Sequence, residues 1–419
     1  MKILTDNPVQ TANDDEFGFE QFANIISTTI QETERLPFCI GIFAEWGAGK
    51  SSLMNLVKDN LSFKGGIETI WFNPWKYDKK EDLWNALIQT VLYGIINKSK
   101  DEDVKNKAKR LAKSTLWLAI KKGVSRATAG IVAEDDLDSL IQNFSEHDEL
   151  YYQHINNFEE NFCHVVKSYT NNGKLVIFVD DLDRCLPENA ITVLESLKLF
   201  IGNSNCIFVL GMDHLVVEQG LEARFSEKIK LSGRDYLDKI IQVPFYLPAI
   251  PFNTLKKAYI QNGIEDFCDK IWKVVEYGLG GNPRKTKRFV NSSSIANAII
   301  KSRNETTVLS DVELISAEKQ KYFIAKLLIF QMEFLDFYNF IKSNHSAWHT
   351  FASKIVNAVN EKERNSALEH YKNLEFFWNT NEKLKMFMIQ TETPEFYPPP
   401  TAKQLSPMIQ AISIASSDR

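Results

Sequence analysis

Phe38-Cys39-Ile40-Gly41-Ile42-Phe43-Ala44-Glu45-Trp46-Gly47-Ala48-Gly49-Lys50-Ser51 joins an apolar run to a glycine-rich loop that ends in Lys-Ser. The run has no polar residue, so it reads as a strand buried on both faces, as in a parallel sheet covered by helices. The loop reads as a phosphate cradle. Gly47, Ala48 and Gly49 are small enough for the backbone to curl, so successive N–H groups turn inward toward phosphate oxygens. Lys50 brings a mobile positive charge, and a helix starting near it brings the positive end of its dipole. The Ser51 hydroxyl is placed to complete the shell of a magnesium ion. The expected nucleotide contacts therefore run from Trp46 through Gly47, Ala48, Gly49, Lys50 and Ser51 to Ser52. Ala44 stands where this motif has its first glycine, which suits a strand end if its φ is negative.

Leu175-Val176-Ile177-Phe178-Val179 is a second run of this kind, and it ends in Asp180-Asp181-Leu182-Asp183-Arg184. Asp180, first past the strand, is placed to hold Mg²⁺, and Asp181 to orient and deprotonate an attacking water. The other reading is a polar strand end that caps the next helix, for which Asp183, Pro187 and Glu188 are suited. Pairing with the phosphate loop favours the first.

The 419 residues are 44% apolar, enough for a large core and two or three domains. A net charge of −5 gives no general argument for nucleic-acid binding. Five scattered cysteines without C-x-x-C spacing indicate neither a disulfide framework nor a zinc site, and a reducing cytosol is the natural compartment. Met1 to Asp15 is polar, and no apolar run reaches membrane-spanning length. The nearest approach, Tyr322 to Ile341, carries Lys326, Gln331, Glu333 and Asp336 and reads as a buried amphipathic helix.

Further strand signals lie at Glu68 to Phe72, Cys206 to Leu210 and Ile240 to Leu247, with helical patterns between them. The order is that of a doubly wound α/β core. Between the second and third strands the alternation is broken by helical stretches at Leu83 to Ile96 and Tyr151 to Tyr169 and by an insertion over 98–140. Within it, Leu111 to Lys122 is a basic amphipathic stretch with Trp117, suited either to packing its own domain or to lying on an anionic membrane or a partner over about 111–126. Glu134 to Asp138 is an acidic stretch able to pair with it. After Pro248 the pattern is helical, and Pro394 to Pro407 should be extended before a short terminal helix.

Six stretches in this order carry a resemblance: Ala44 to Ser51, Trp71-Phe72-Asn73-Pro74-Trp75, Val179 to Cys185, Phe208 to Asp213, Tyr236 to Phe245, and Pro283-Arg284 to Arg288-Phe289. The chain resembles the KAP-type P-loop NTPases, in the additional-strand hydrolase group related to the STAND and AAA+ ATPases. The resemblance implies an extra strand between the two Walker strands and an α/β core over 1–248. It further implies a helical lid over 249–300 and a C-terminal helical region over 301–419. It places Asp213 where relatives carry a sensor of the γ-phosphate, a position that equally suits a helix cap. It places Arg284 as a second sensor on the lid, against the alternative of a solvated basic helix start. Arg184 is either a finger toward a neighbouring subunit or an internal partner of Asp181 or Asp183. Phe17-Gly18-Phe19 matches the adenine-side segment, with stacking by Phe17 or Phe19 in place of a charged contact. Adenine is favoured because Asn97-Lys98-Ser99-Lys100 lacks the aspartate of a guanine reader.

The resulting expectation is a cytoplasmic, Mg-dependent ATPase with Asp181, Lys50 and Arg284 as its catalytic residues. ATP and Mg²⁺ are its cofactors, Asp180 and Ser51 hold the metal, and the cycle controls assembly of a homo-oligomer or a separately encoded effector. The resemblance suggests defence against phage or mobile DNA as the setting. The alternative is a nucleotide-gated scaffold with negligible turnover that recruits an effector or associates peripherally with membrane.

Overall fold

The computed structural model describes residues 3–77, 80–121, 149–197, 205–225, 233–264, 267–306 and 316–415. The chain forms two compact units, one of Pro8–Pro248 and one of Met1–Asn7 with Ala249–Arg419.

The first unit is built on a five-stranded parallel sheet of β1 (Phe38–Phe43), β2 (Ile67–Phe72), β3 (Lys174–Val179), β4 (Cys206–Met212) and β5 (Val243–Tyr246), in the order β2-β3-β4-β1-β5. β4 therefore lies between β1 and β3, the two strands that end in the glycine-rich loop and in the paired aspartates. That is the additional strand the resemblance implies. Its register sets Phe43 of β1 beside Met212 and Val179 of β3 beside Leu210. The loops after all three strands consequently open at one edge of the sheet, the carboxyl edge where α/β proteins bind ligands.

Alternation divides the sheet's side chains between two helical layers. Phe72, Leu175, Ile177, Val179, Phe208 and Leu210 share one core with helices α3 (Lys80–Lys98), α4 (Glu102–Lys121), α5 (Glu149–Tyr169) and α6 (Pro187–Leu197). On the opposite face Trp71 and Phe178 stack at 5.3 Å, with Lys58 of α2 (Lys50–Ser62) over the Trp71 ring. Helix α1 (Glu20–Glu32) packs on α2 in that layer.

The part of the insertion that falls on described residues is helix α4, which includes Trp117. Its apolar side, Val104, Ala108, Leu111, Ala112 and Thr115, is buried, and Gln89 of α3 donates to Ala112 O and Thr115 Oγ1. As far as Thr115, this stretch packs its own unit. Residues 122–140, with the acidic stretch Glu134 to Asp138, lie outside the described residues. Among the described residues no helix is long and apolar enough to cross a membrane.

Two helices complete the first unit, α7 (His214–Phe225) and α8 (Gly233–Asp238). Ile240 and Ile241 turn off α8, so β5 begins at Val243, later than the alternation predicts.

The second unit is helical: α9 (Phe252–Gln261), α10 (Asp269–Leu279), α11 (Pro283–Thr306), α12 (Ala317–Glu333), α13 (Leu335–Ser343), α14 (Glu361–His370), α15 (Lys372–Thr380), α16 (Glu382–Thr391) and α17 (Ala402–Ala415). The predicted helix over Tyr322 to Ile341 is two, parted at Phe334, whose φ of −136° and ψ of 54° are not helical. The terminal helix begins earlier than the proline pattern predicts and takes in Pro407. That ring faces solvent while Leu405, Met408, Ile409 and Ile412 are buried, so packing outweighs the hydrogen bond Pro407 cannot make.

Candidate functional site

Between β1 and α2 the chain turns through Gly47 and Gly49, at φ 86° and 111°, where only a glycine is unstrained. Gly49 is doubly constrained, because a Cβ there would come within 2.4 Å of the Phe19 ring. Phe19 is buried beneath the loop, and Phe17 meets it edge-on at 6.1 Å, half-buried. Of the two rings, Phe17 is therefore the one with a face left for a base. Ala44 has a negative φ, as a strand end requires, and its N–H donates to Met212 O at the end of β4. Trp46 projects from the loop with 59% of its surface exposed.

Helix α2 opens at Lys50, so its first N–H groups and dipole face the loop. The Lys50 side chain folds back into the protein. Its Nζ lies 2.9 Å from Ala44 O, 3.3 Å from Glu45 O and 3.0 Å from Asp183 Oδ2. Ser51 hydrogen-bonds Asp180, while the Ser52 hydroxyl accepts from the Val9 N–H.

At the end of β3 the two adjacent aspartates occupy unlike surroundings. Asp180 is buried; burial first, then neighbouring Asp181, pushes its carboxyl up to about 6, against the pull of bonds from Ser51 and the Asp181 N–H. Gly211 of β4 keeps the space beside it open, since a Cβ there would lie 3.1 Å from Asp180 Oδ1 and 2.5 Å from Met54 Sδ. Asp181 takes a left-handed backbone, φ 62° and ψ 31°, rare for a residue other than glycine. That turn lifts its carboxylate out of the strand line. There Oδ2 accepts from Asn73 Nδ2 at 2.9 Å and Oδ1 ion-pairs with Arg184 Nε at 2.9 Å. The Arg184 guanidinium also lies over the Trp75 ring, 5.2 Å from its centroid. Arg184 thus makes the internal pairing, one of the two uses open to it.

The three-residue turn Leu182–Arg184 that follows is a 3₁₀-helix, in which residues three apart lie on one side. Asp183 is carried back toward the loop by it, and Oδ2 accepts from Asp213 N–H at 3.1 Å as well as meeting Lys50. Its other oxygen, Oδ1, is buried without a hydrogen-bond partner among the described residues. Asp213 itself caps α7, with Oδ1 accepting from Leu215 N–H.

The first unit thus brings together Lys50, Ser51, Asp180, Asp181 and Asp213. Arg284 lies on α11 of the second unit, where its Nε is 2.9 Å from Asp6 Oδ2. Two residues, Asn73 and Asp183, make contacts that their sequence pattern does not announce. Asn73 serves there only as part of a resemblance, yet its amide caps the Pro74–Lys76 turn and steadies Asp181. Asp183 reads there as a helix cap, and only the 3₁₀ turn reveals its contact with Lys50. Among the described residues no cluster of His, Cys, Asp and Glu is arranged to hold a metal by itself. The donors present nevertheless fit a magnesium nucleotide, because a half-satisfied Asp183, the buried Asp180 and its hydroxyl partner Ser51 sit under a loop shaped for phosphate.

Comparison with known proteins places these residues in a family setting. The family model for the KAP family P-loop domain matches residues 19–300. An uncharacterized protein of Methanocaldococcus jannaschii is 31% identical over 158 residues, 31% of this chain and 81% of that protein. The phage T7 exclusion protein of Escherichia coli K12 is 23% identical over 269 residues, 58% of this chain and 34% of that protein. This chain therefore spans about a third of that relative's length. The solved structure of the Aeropyrum pernix ORC2 protein (ADPNP-ADP complexes) aligns over 95% of this chain and 94% of its own, at 12% identity and a TM-score of 0.33.

Proposed function

The chain belongs to the KAP family of P-loop NTPases, and from that premise we propose that it is a Mg-dependent ATPase whose nucleotide cycle governs assembly or a partner protein. The observation that carries the reading is the set Lys50, Ser51, Asp180 and Asp181 at the ends of two strands parted by β4. Ser51 and Asp180 are the residues that would hold magnesium, which when bound neutralises phosphate charge. Gly47 to Lys50 present backbone N–H groups to the phosphates, and Lys50 turns from the protein toward them. Asp181, freed of Arg184, accepts a proton from the attacking water, and Asn73 fixes the direction of its carboxylate. Phe17 offers an apolar face to adenine. Arg284 serves as reader of the γ-phosphate on the helical unit.

A second reading has support of its own. Asp181 is held by Arg184 and Asn73, and Lys50 by Asp183 and two carbonyls, so both must be released before chemistry. A protein so arranged turns over slowly by itself and responds to a trigger, as a nucleotide-gated scaffold does. Phage defence as the setting rests on the name of one relative, and a cytoplasmic place on five cysteines that all remain free. The partner in either case is a second copy or an effector encoded elsewhere.

Steady-state ATP turnover, measured with ATP and ADP affinities, tests the proposal. Asp181→Asn should keep MgATP affinity within a few fold and lose turnover by about a hundredfold or more. Arg284→Ala should spare ADP affinity and lower the preference for ATP by about 1 to 3 kcal/mol, the size of a charge-assisted hydrogen bond. Unchanged turnover would remove Asp181 from the mechanism, and equal effects on both nucleotides would remove Arg284 from the site.

A further inference from the structure

Lys50 has three N–H donors and three oxygens within reach, two loop carbonyls and Asp183 Oδ2, the last at 3.0 Å. None of the ammonium's donors is left over for a phosphate, so an anion entering the loop must take at least one of them. Of the three acceptors, Asp183 is the one whose charge competes with phosphate directly. Its side chain is 4% exposed and that of Lys50 7%, so the pair is little screened by solvent. The pair is also incomplete, because Asp183 Oδ1 is buried without a partner among the described residues. A buried carboxylate satisfied on one side only is a contact that a better anion can undo.

We propose that Asp183 is the counter-ion Lys50 must leave in order to take a phosphate, and that this exchange sets the nucleotide affinity of the site. Asp183 is then a positioning residue. It holds Lys50 folded against Ala44 and Glu45, and it opposes an entering phosphate by its own charge. The exchange is also a route for signalling. Asp183 Oδ2 accepts from the Asp213 N–H at the join of β4 to α7, so departure of Lys50 leaves that join as the remaining partner of this oxygen among the described residues. The inference rests on the proposed nucleotide site in the loop. It does not rest on hydrolysis.

The test is calorimetric titration of ADP in EDTA, together with thermal melting, on the whole chain. Asp183→Asn keeps the shape and removes the charge, so ADP should bind about tenfold more tightly, the effect expected for deleting one poorly screened like charge. The variant without nucleotide should melt below wild type, and the two should melt together when saturated with ADP. Asp183→Glu, which restores the charge, should return the affinity toward wild type. Equal or weaker ADP binding by Asp183→Asn, beside normal binding by wild type, would overturn the inference. Absence of ADP binding by wild type would instead overturn the nucleotide site beneath it. Should Asp183→Asn fail to fold, Lys50→Met and Lys50→Met/Asp183→Leu decide the matter without nucleotide. The double variant should melt higher than the single, since the single leaves Asp183 buried without its counter-ion. Equal melting would show that Lys50 and Asp183 are not coupled.

Discussion

Asp180 and Asp181 are adjacent, yet one backbone turn gives them unlike surroundings. Asp180 continues the strand line into a buried place against Ser51, while left-handed Asp181 swings out to Asn73 and Arg184. Sequence patterning made the pair visible, because an apolar run that stops at two carboxylates is what a buried strand looks like where it reaches a polar edge. It did not show Asp183 meeting Lys50, because that contact depends on a 3₁₀ turn that no side-chain pattern announces. The raised Asp180 carboxyl has a consequence for stability without magnesium. A carboxyl raised from 3.8 to about 6 binds its proton more tightly in the folded protein, so its favourable contribution is present below about pH 4 and lost as pH rises through 6. Asp180→Asn removes that loss. In EDTA the variant should gain about 3 kcal/mol on wild type above pH 6 and nothing near pH 4, if it folds alike. Denaturation curves at both pH values measure it, and a gain independent of pH would show that Asp180 is ionised without penalty.

Among the elements, the strands were the most legible, since runs such as Leu175 to Val179 are apolar at every position and end at charged or glycine-rich loops. Helix ends were less so. Phe334 breaks an apolar stretch without proline or glycine, and Pro407 fails to end a helix because its ring points to solvent while its neighbours are buried. Least legible was Lys326, which reads as a polar position of an amphipathic helix. It is instead fully buried on α12 and pairs with Glu392 just past α16, beneath the Trp348 ring, with its Nζ also 3.1 Å from Thr391 O. Glu392 accepts from Trp348 Nε1 at 2.7 Å, so one carboxylate ties three segments of the helical unit together. Burial drives the Lys326 ammonium below its ordinary range while Glu392 opposes that shift. Lys326→Met should destabilise this unit by about 3 to 5 kcal/mol, the usual result of leaving one buried charge unpaired. Adding Glu392→Gln should restore much of the loss while keeping an acceptor for Trp348. Urea denaturation of the two variants checks this, and equal destabilisation would mean that packing of the lysine stem, not its charge, holds these helices.

At the scale of the whole molecule, the polar start of the chain is divided between the two units. Leu4 exchanges hydrogen bonds with the Asn291 amide, Thr5 O accepts from Lys287 and Asp6 pairs with Arg284, all within the helical unit. A few residues further on, Val9 is held in the same two-sided way by Ser52 and Asn55 of α2 in the α/β unit. Nothing in the composition of Met1 to Asp15 announces either attachment, since most of these contacts are made by backbone groups against distant side chains. Arg284 therefore meets an acid of its own chain, and its proposed reading of the γ-phosphate requires Asp6 to yield it. The loop from Trp46 to Ser52 is proposed as the nucleotide site, with Lys50 as its phosphate cation. The direct measurement is titration of ATP against wild type and Lys50→Ala, with melting curves to show that both are folded. Wild type should bind ATP, and the variant should bind it at least about tenfold more weakly through loss of the charge-assisted contact. ATP binding of equal strength by a folded Lys50→Ala protein would contradict the account.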